Sequence, residues 1–299
     1  SSRNNSNDVQ VYVRAEDRAG NVSEQTLPQA IAIDITAPEI SVSFDNNAPL
    51  NGQYYRETRS ATVTIRERNF DPRNVQIRVS NTDGTQPTIT GWSSSANAGV
   101  SDDATHTCQI IFSADGDYNF TVDCTDLALN RAANPYQSET FTIDKTVPTV
   151  SVSYNNNAAS NGRYYREGRT ATITITEHNF NASAVRVTTT ASLNGTSISA
   201  PSVSGWSNNG DRHTATVRFT ADGDYTLDVA YTDQAGNPMA DYDADSFTVD
   251  LTNPEVVISG VEDRSANRGT VAPVIRISDN NYTADGVTLT LTGVNRGRV

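Results

Sequence analysis

The chain has 299 residues and a formal net charge of −13, with 35 acidic residues against 22 basic ones. That balance excludes nucleic acid and anionic membrane surfaces as partners, because both are recognised through basic patches. No apolar run approaches the roughly 18 residues that a membrane-crossing helix needs, and no membrane insertion is expected.

In chain order, VYVRAEDRAGN at 11–21 is the first segment to return later, as FTVDCTDLALN at 120–130 and LDVAYTDQAGN at 227–237. Residues 1–34 therefore read as a partial module holding only its last two strands. IDITAP follows, ending at Pro38, and recurs as IDKTVP ending at Pro148 and VDLTNP ending at Pro254. Proline fixes its own φ and pushes the residue before it into extended conformations, so Thr-x-Pro predicts a stiff strand-to-strand joint. These joints bound two complete modules, at 35–145 and 146–250.

Within the first, YYRETRSATVTIRERNFDPRNV at 54–75 returns as YYREGRTATITITEHNFNASAV at 164–185. HTCQIIFSADGDYNFTVDCTD, from His106, returns as HTATVRFTADGDYTLDVAYTD, from His213. Trp92 and Trp206 stand between the two blocks. Length changes fall between the motifs, where loops absorb them cheaply. Residues 251–299 begin another copy, since VIRISDNNY at 274–282 matches TVTIRERNF at 62–70. Two whole modules flanked by two partial ones read as a stretch of a longer array. The alternative is head-to-tail complementation between chains, although that pairing lacks the module's middle strands.

Inside a module the apolar period is two. Ala61, Val63 and Ile65 alternate with Thr62, Thr64 and Arg66, and Tyr118, Phe120, Val122 and Cys124 alternate with polar residues. Each pattern marks a half-buried strand. No helical periodicity lasts three turns, and Asn-Gly and Asp-Gly supply hairpin turns. The fold expected is all-β: tandem immunoglobulin-like β-sandwiches in an elongated array.

The D-x-A-G-N loop (Asp17–Asn21, Asp233–Asn237 and the variant Asp126–Asn130), the strand ending in I/V-D-x-T-x-P, and A-D-G-D-Y before the penultimate strand cover nearly the whole chain. On these motifs it resembles the bacterial Ig-like domains strung together in large surface proteins of Gram-positive bacteria. The resemblance implies an extracellular location on the bacterial cell surface and a multi-module stalk or adhesin, and it names no ligand.

Candidate chemistry is sparse. Cys108 and Cys124 are the only cysteines, both on inward positions of strands joined at Ala114–Asp117, and a disulfide between them is expected. Closing such a loop stabilises by about 3 kcal/mol. The acidic loops could offer hard oxygen ligands to Ca²⁺, with Asp115 and Asp117 at one module end and Glu67–Phe70 and Asp126–Asn130 at the other. They equally suit turn chemistry, and no metal or other cofactor is expected. Tyr118 and Tyr225, after Asp-Gly-Asp, predict tyrosine corners. Tyr54, Tyr55, Tyr164 and Tyr165, with Trp92 and Trp206, are the aromatics able to form a sugar-stacking platform, or else to cover a sandwich edge. Phe70, Phe180 and Tyr282 are expected to pack near the linkers.

His106, His178 and His213 make no ligand set, and no nucleophile stands in a catalytic context, so no enzyme is expected. The function read from the chain is a non-catalytic stalk or spacer whose partners are the neighbouring modules of its own polypeptide. Alternatives are an adhesive module contacting a host glycan, protein or other surface ligand, and accessory modules of a secreted glycan-degrading enzyme.

Overall fold

The computed structural model describes residues 5–82 and 85–293. The first four residues of the 1–34 segment, Asp83 and Gly84, and the last six of the 251–299 segment lie outside the described residues. The chain divides into two compact units: one reaches Val147 and takes in Asp233–Asn237, and the other comprises Pro148–Thr232 and continues from Pro238.

Each unit holds one two-sheet, immunoglobulin-like sandwich. In the first, Arg59–Arg66 pairs antiparallel with Glu39–Phe44 on one side and Thr105–Phe112 on the other, and short strands at Ser93–Ser94 and Thr88–Ile89 complete that sheet. The facing sheet is built on Gly116–Cys124, which pairs with Val75–Asn81, Tyr136–Gln137 and Phe141–Ile143. After Phe44 the chain changes sheets, and Tyr54–Tyr55 adds parallel to Phe141–Ile143.

The second sandwich repeats this plan. Arg169–Thr176 lies between Thr149–Tyr154 and Arg212–Phe219, and Gly223–Ala230 lies between Arg186–Leu193 and Asp245–Val249, with Tyr164–Tyr165 parallel to the latter. Asn194 and Gly195 both have positive φ, 52° and 75°, in the two-residue turn joining Arg186–Leu193 to Thr196–Ser197. That is the backbone a type I′ hairpin demands and Asn-Gly tolerates.

Period-two patterning decides which side chains meet. Arg59, Ala61, Val63 and Ile65 are buried while Ser60, Thr62 and Thr64 are less enclosed, and Gly116–Cys124 alternates over its whole length. Phe112, Tyr118, Phe120 and Phe141 fill the first core with edge-on and stacked ring contacts, and Phe219, Tyr225 and Phe247 fill the second. Among the described residues the only helical pieces are 3₁₀ turns at Pro72–Asn74, Ala182–Ala184 and Ala284–Gly286. The first two are capped by the side chains of Asp71 and Asn181.

Two hairpins stand outside the sandwiches. Tyr12–Glu16 pairs with Val22–Thr26, and Glu255–Ser259 with Val274–Ser278. Their inward-type residues are open: Val13 is 58 % exposed, whereas its sequence counterpart Val122 is 0 % exposed. Both predicted tyrosine corners form, with Tyr118 Oη donating to the Ala114 carbonyl and Tyr225 Oη to the Ala221 carbonyl, each at 3.0 Å.

Candidate functional site: the linker aspartates and their carboxylate neighbours

The A-D-G-D-Y motif spends each of its aspartates on a specific partner. Asp115 accepts from the Lys145 N–H (3.1 Å) and the Thr146 hydroxyl (2.6 Å), so the motif holds the Thr-x-Pro linker that leaves the same sandwich. Asp222 does the same in the second unit, accepting from the Leu251 N–H (2.6 Å) and the Thr252 hydroxyl. Asp117 and Asp224 accept instead from the Thr142 and Thr248 hydroxyls, at 2.5 and 2.6 Å. At the first linker Asn5 plays this part, its Oδ1 accepting from the Ile35 N–H at 3.1 Å and its Nδ2 donating to Thr36. These aspartates are therefore turn and linker groups.

The linker aspartate is bound in turn by the sandwich or hairpin that follows it. Asn69 Nδ2 donates to Asp34 Oδ2 at 2.6 Å, and Asn281 Nδ2 donates to Asp250 Oδ2 at 2.8 Å. Asn130 Nδ2 adds a bond to the Asp34 carbonyl at 3.2 Å. Asn130 is itself fixed by Asp126, whose two oxygens accept from its N–H and Nδ2 at 2.8 Å each.

This arrangement gathers Asp34, Glu67 and Asp126, each offering one carboxylate oxygen within 4.8 Å of the others. Glu67 is 2 % exposed and Asp126 0 % exposed. Burial pushes the Glu67 carboxyl up to about 7, and the nearby Asp34 and Asp126 charges push the same way, against the Asn69 N–H that favours the ionised form. That N–H donates to Glu67 Oε1 at 2.7 Å. Close charged carboxylates repel one another, and a proton on Glu67 or a hard cation between them relieves that repulsion. As a donor set the three oxygens suit Ca²⁺, although most already accept from Asn69 and Asn130. The sequence reading paired the Glu67 and Asp126 loops correctly and missed Asp34, which looked like a plain linker residue. Asp144, Glu177 and Asp233 are its sequence counterparts.

The expected disulfide is not formed: Cys108 and Cys124 are both buried free thiols. They belong to different sheets, and a bridge across a sandwich forms only between positions directly opposite each other, with Cα atoms within about 7 Å. They sit at unequal depth. Cys108 pairs with Val63, four residues from Glu67, and Cys124 stands two residues before Asp126 in the same cluster. The difference of two residues is about 7 Å along the strands. Burial pushes the thiols up to about 11 for Cys108 and about 12 for Cys124.

The aromatic candidates do not converge. Tyr55 and Tyr165 are buried in the cores, and Tyr54 and Tyr164 are half-buried beside them. Trp92 packs edge-on against Phe70 at 5.1 Å, and Trp206 against Phe180 at 5.2 Å. Phe70 and Phe180, expected near the linker, turn their rings onto side chains of their own sandwiches. Phe70 stacks on His106 at 4.0 Å and Phe180 on His213 at 3.9 Å, so the rings belong to their own sandwiches. Each histidine is held by a carbonyl, His106 Nε2 by Glu67 O and His213 Nε2 by Glu177 O, both at 2.8 Å.

Among the described residues no helix is long and apolar enough to cross a membrane. Residues 102–216 match the bacterial Ig-like domain family, group 3, a segment that includes the linker at Pro148. No curated protein matches. Among solved structures the chain is similar to FdeC, an Escherichia coli adhesin, at 16 % identity over 80 % of this chain and 73 % of that one, with a TM-score of 0.36. It is also similar to a marsupial T cell receptor, at 12 % identity over 74 % of this chain and 100 % of that one, with a TM-score of 0.28. The family match supports bacterial Ig-like domains as the relatives of these sandwiches.

Proposed function

We propose that the chain is a non-catalytic spacer segment of a multi-module bacterial surface protein or adhesin, working outside the cell with neighbouring modules of the same polypeptide as its partners. The observation that carries this reading is the linker that is bonded on both sides. Between Asp250 and Thr252, Asp222 of the preceding sandwich holds Leu251 and Thr252, and Asn281 of the following hairpin holds Asp250. A tether meant to swing would leave these groups to water. Proline at the end of each linker stiffens it further.

The adhesive alternative through the tyrosine pairs loses support, because Tyr55 and Tyr165 spend their rings in the cores. Small-angle scattering of the whole chain tests the spacer reading. An elongated particle is expected, and a compact globule would refute it. In Asp222→Ala, spin labels placed on either side of the Asp250–Thr252 linker should report a broader distance distribution than in the parent chain.

A further inference from the structure

Arg59 and Arg169 hold equivalent places, and both are buried without a carboxylate partner. The Arg59 guanidinium lies 3.7, 4.2 and 4.6 Å from the ring centres of Phe44, Tyr55 and Phe141. Arg169 lies 3.7, 3.9 and 4.5 Å from those of Tyr154, Tyr165 and Phe247. Each Nε donates to a carbonyl, Asn46 or Asn156, and each Nη2 to an amide oxygen, Asn47 or Asn157. A guanidinium has five N–H groups, and these two bonds leave most of them unused. Ring faces and neutral oxygens stabilise a buried cation only in part. Burial accordingly lowers the Arg59 pKa.

The two boxes differ at the mouth. In the second sandwich the hydroxyls of Tyr154 and Tyr242 both donate to Asp245 Oδ2, at 2.6 Å each, so the chain sets a carboxylate of its own against a wall of the box. In the first sandwich Phe44 stands where Tyr154 does and has no hydroxyl to offer. The counterpart of Asp245 is Glu139, which is exposed and has no hydrogen-bond partner among the described residues. A cleft of about 340 Å³ opens there, lined by Arg59, Asn47, Gln53, Tyr136, Ser138 and Thr140 among others. Arg59 lines this cleft, and its bonds run from Nε and Nη2 alone.

We propose that this cleft binds the carboxylate of an acidic sugar residue, a uronate, at Arg59. The Arg59 guanidinium, bonded only to the Asn46 carbonyl and the Asn47 amide oxygen and lining the cleft, assigns the anionic group. The rest of the lining assigns the sugar: amides and hydroxyls that match ring hydroxyls, and the half-buried Tyr136 ring to cover an apolar face. The volume fits a single sugar ring. Glu139 also lines the cleft and is exposed, so water and salt screen its charge from an incoming anion.

The test follows the Arg59 Nε–Hε signal by NMR in the whole chain during titration with sodium glucuronate. Sodium chloride and glucose serve as controls, and Arg169 is the internal reference. A saturable shift at Arg59 alone is expected, with Kd on the order of 1 mM. The double variant Phe44→Tyr, Glu139→Asp rebuilds the mouth of the second sandwich, so it should keep the fold and weaken binding at least about tenfold, roughly 1.4 kcal/mol. Absence of a saturable shift, an equal response to glucose, or an equal shift at Arg169 would overturn the proposal. N-acetylglycine binding as tightly as glucuronate would overturn the sugar assignment, and unchanged binding in the double variant would remove Arg59's cleft as the site.

Discussion

Glu67→Gln isolates the carboxylate cluster. Glu67 titrates at about 7 in the fold against 4.5 for the free group, with burial the largest cause. Its folded pKa is raised, so the fold binds the proton more tightly than the unfolded chain does. The stability from that proton is complete below pH 4.5, falls as the pH rises, and is gone above about 7. Two and a half pKa units correspond to about 3 kcal/mol across the window. Glutamine keeps an oxygen for the Asn69 N–H, stays neutral throughout and can donate to the neighbouring carboxylates. Urea unfolding at pH 5 and pH 8 measures the effect, read from Trp92 fluorescence in a Trp206→Phe background so that the signal reports the first sandwich. Because pH 5 already lies inside the window, the parent should lose roughly 2–3 kcal/mol between the two conditions, and the Glu67→Gln chain should stay nearly level. Asp17, Asp71 and Asp123 are lowered by their hydrogen-bond partners and titrate below this window. Parallel pH profiles for the two chains would refute the reasoning.

Tyr225→Phe removes the bond to the Ala221 carbonyl and should cost about 1 kcal/mol, measured by urea unfolding followed at Trp206. Phe180→Ala should cost roughly 2–3 kcal/mol in the same assay, below the scale of a fully buried aromatic, because its half-buried ring packs on His213, Trp206 and Tyr231; a loss under about 1 kcal/mol would return it to the linker. Both thiols should be unreactive toward a thiol reagent at pH 8 in the folded chain and should react in denaturant, since burial pushes Cys108 to about 11 and Cys124 to about 12. Prompt reaction without denaturant would contradict their burial.

The strands and the tyrosine corners were legible because both rest on local chemistry, period-two alternation and a turn followed at once by its tyrosine. What failed depended on distance across the sandwich. Cys108 and Cys124 both face inward, and facing alone does not give their offset in depth. Phe70 follows an acidic loop and so looked terminal, while the His106 ring that covers it comes from a strand more than thirty residues later. The linker was readable through its proline, but its binding was hidden. Asp115 and Asp222 looked like turn formers, and Asn5 carries the same bonds from a segment in which A-D-G-D-Y is absent. The mouths of the arginine boxes were unreadable for a related reason. Phe44 against Tyr154 is an ordinary core exchange until Asp245 is seen to depend on the hydroxyl.

These failures share a cause that bears on how the repeat works. Asn130 closes its own loop on Asp126 and uses the same amide to hold the Asp34 carbonyl, and Asn69, capped by Glu67, holds the Asp34 carboxylate. A residue that stabilises a loop of the module is thereby also a residue of the joint. Loop closure makes the joint cheap to hold, because the groups that reach the linker are already ordered and lose little further entropy in binding it. The same economy ties the two together: a substitution that loosens the D-x-A-G-N loop also releases the linker, so local stability and stiffness of the joint rise and fall as one. A spacer gains from that coupling. A hinge would need the opposite, a joint able to open while both neighbours stay folded, and a linker bonded from both sides does not provide it.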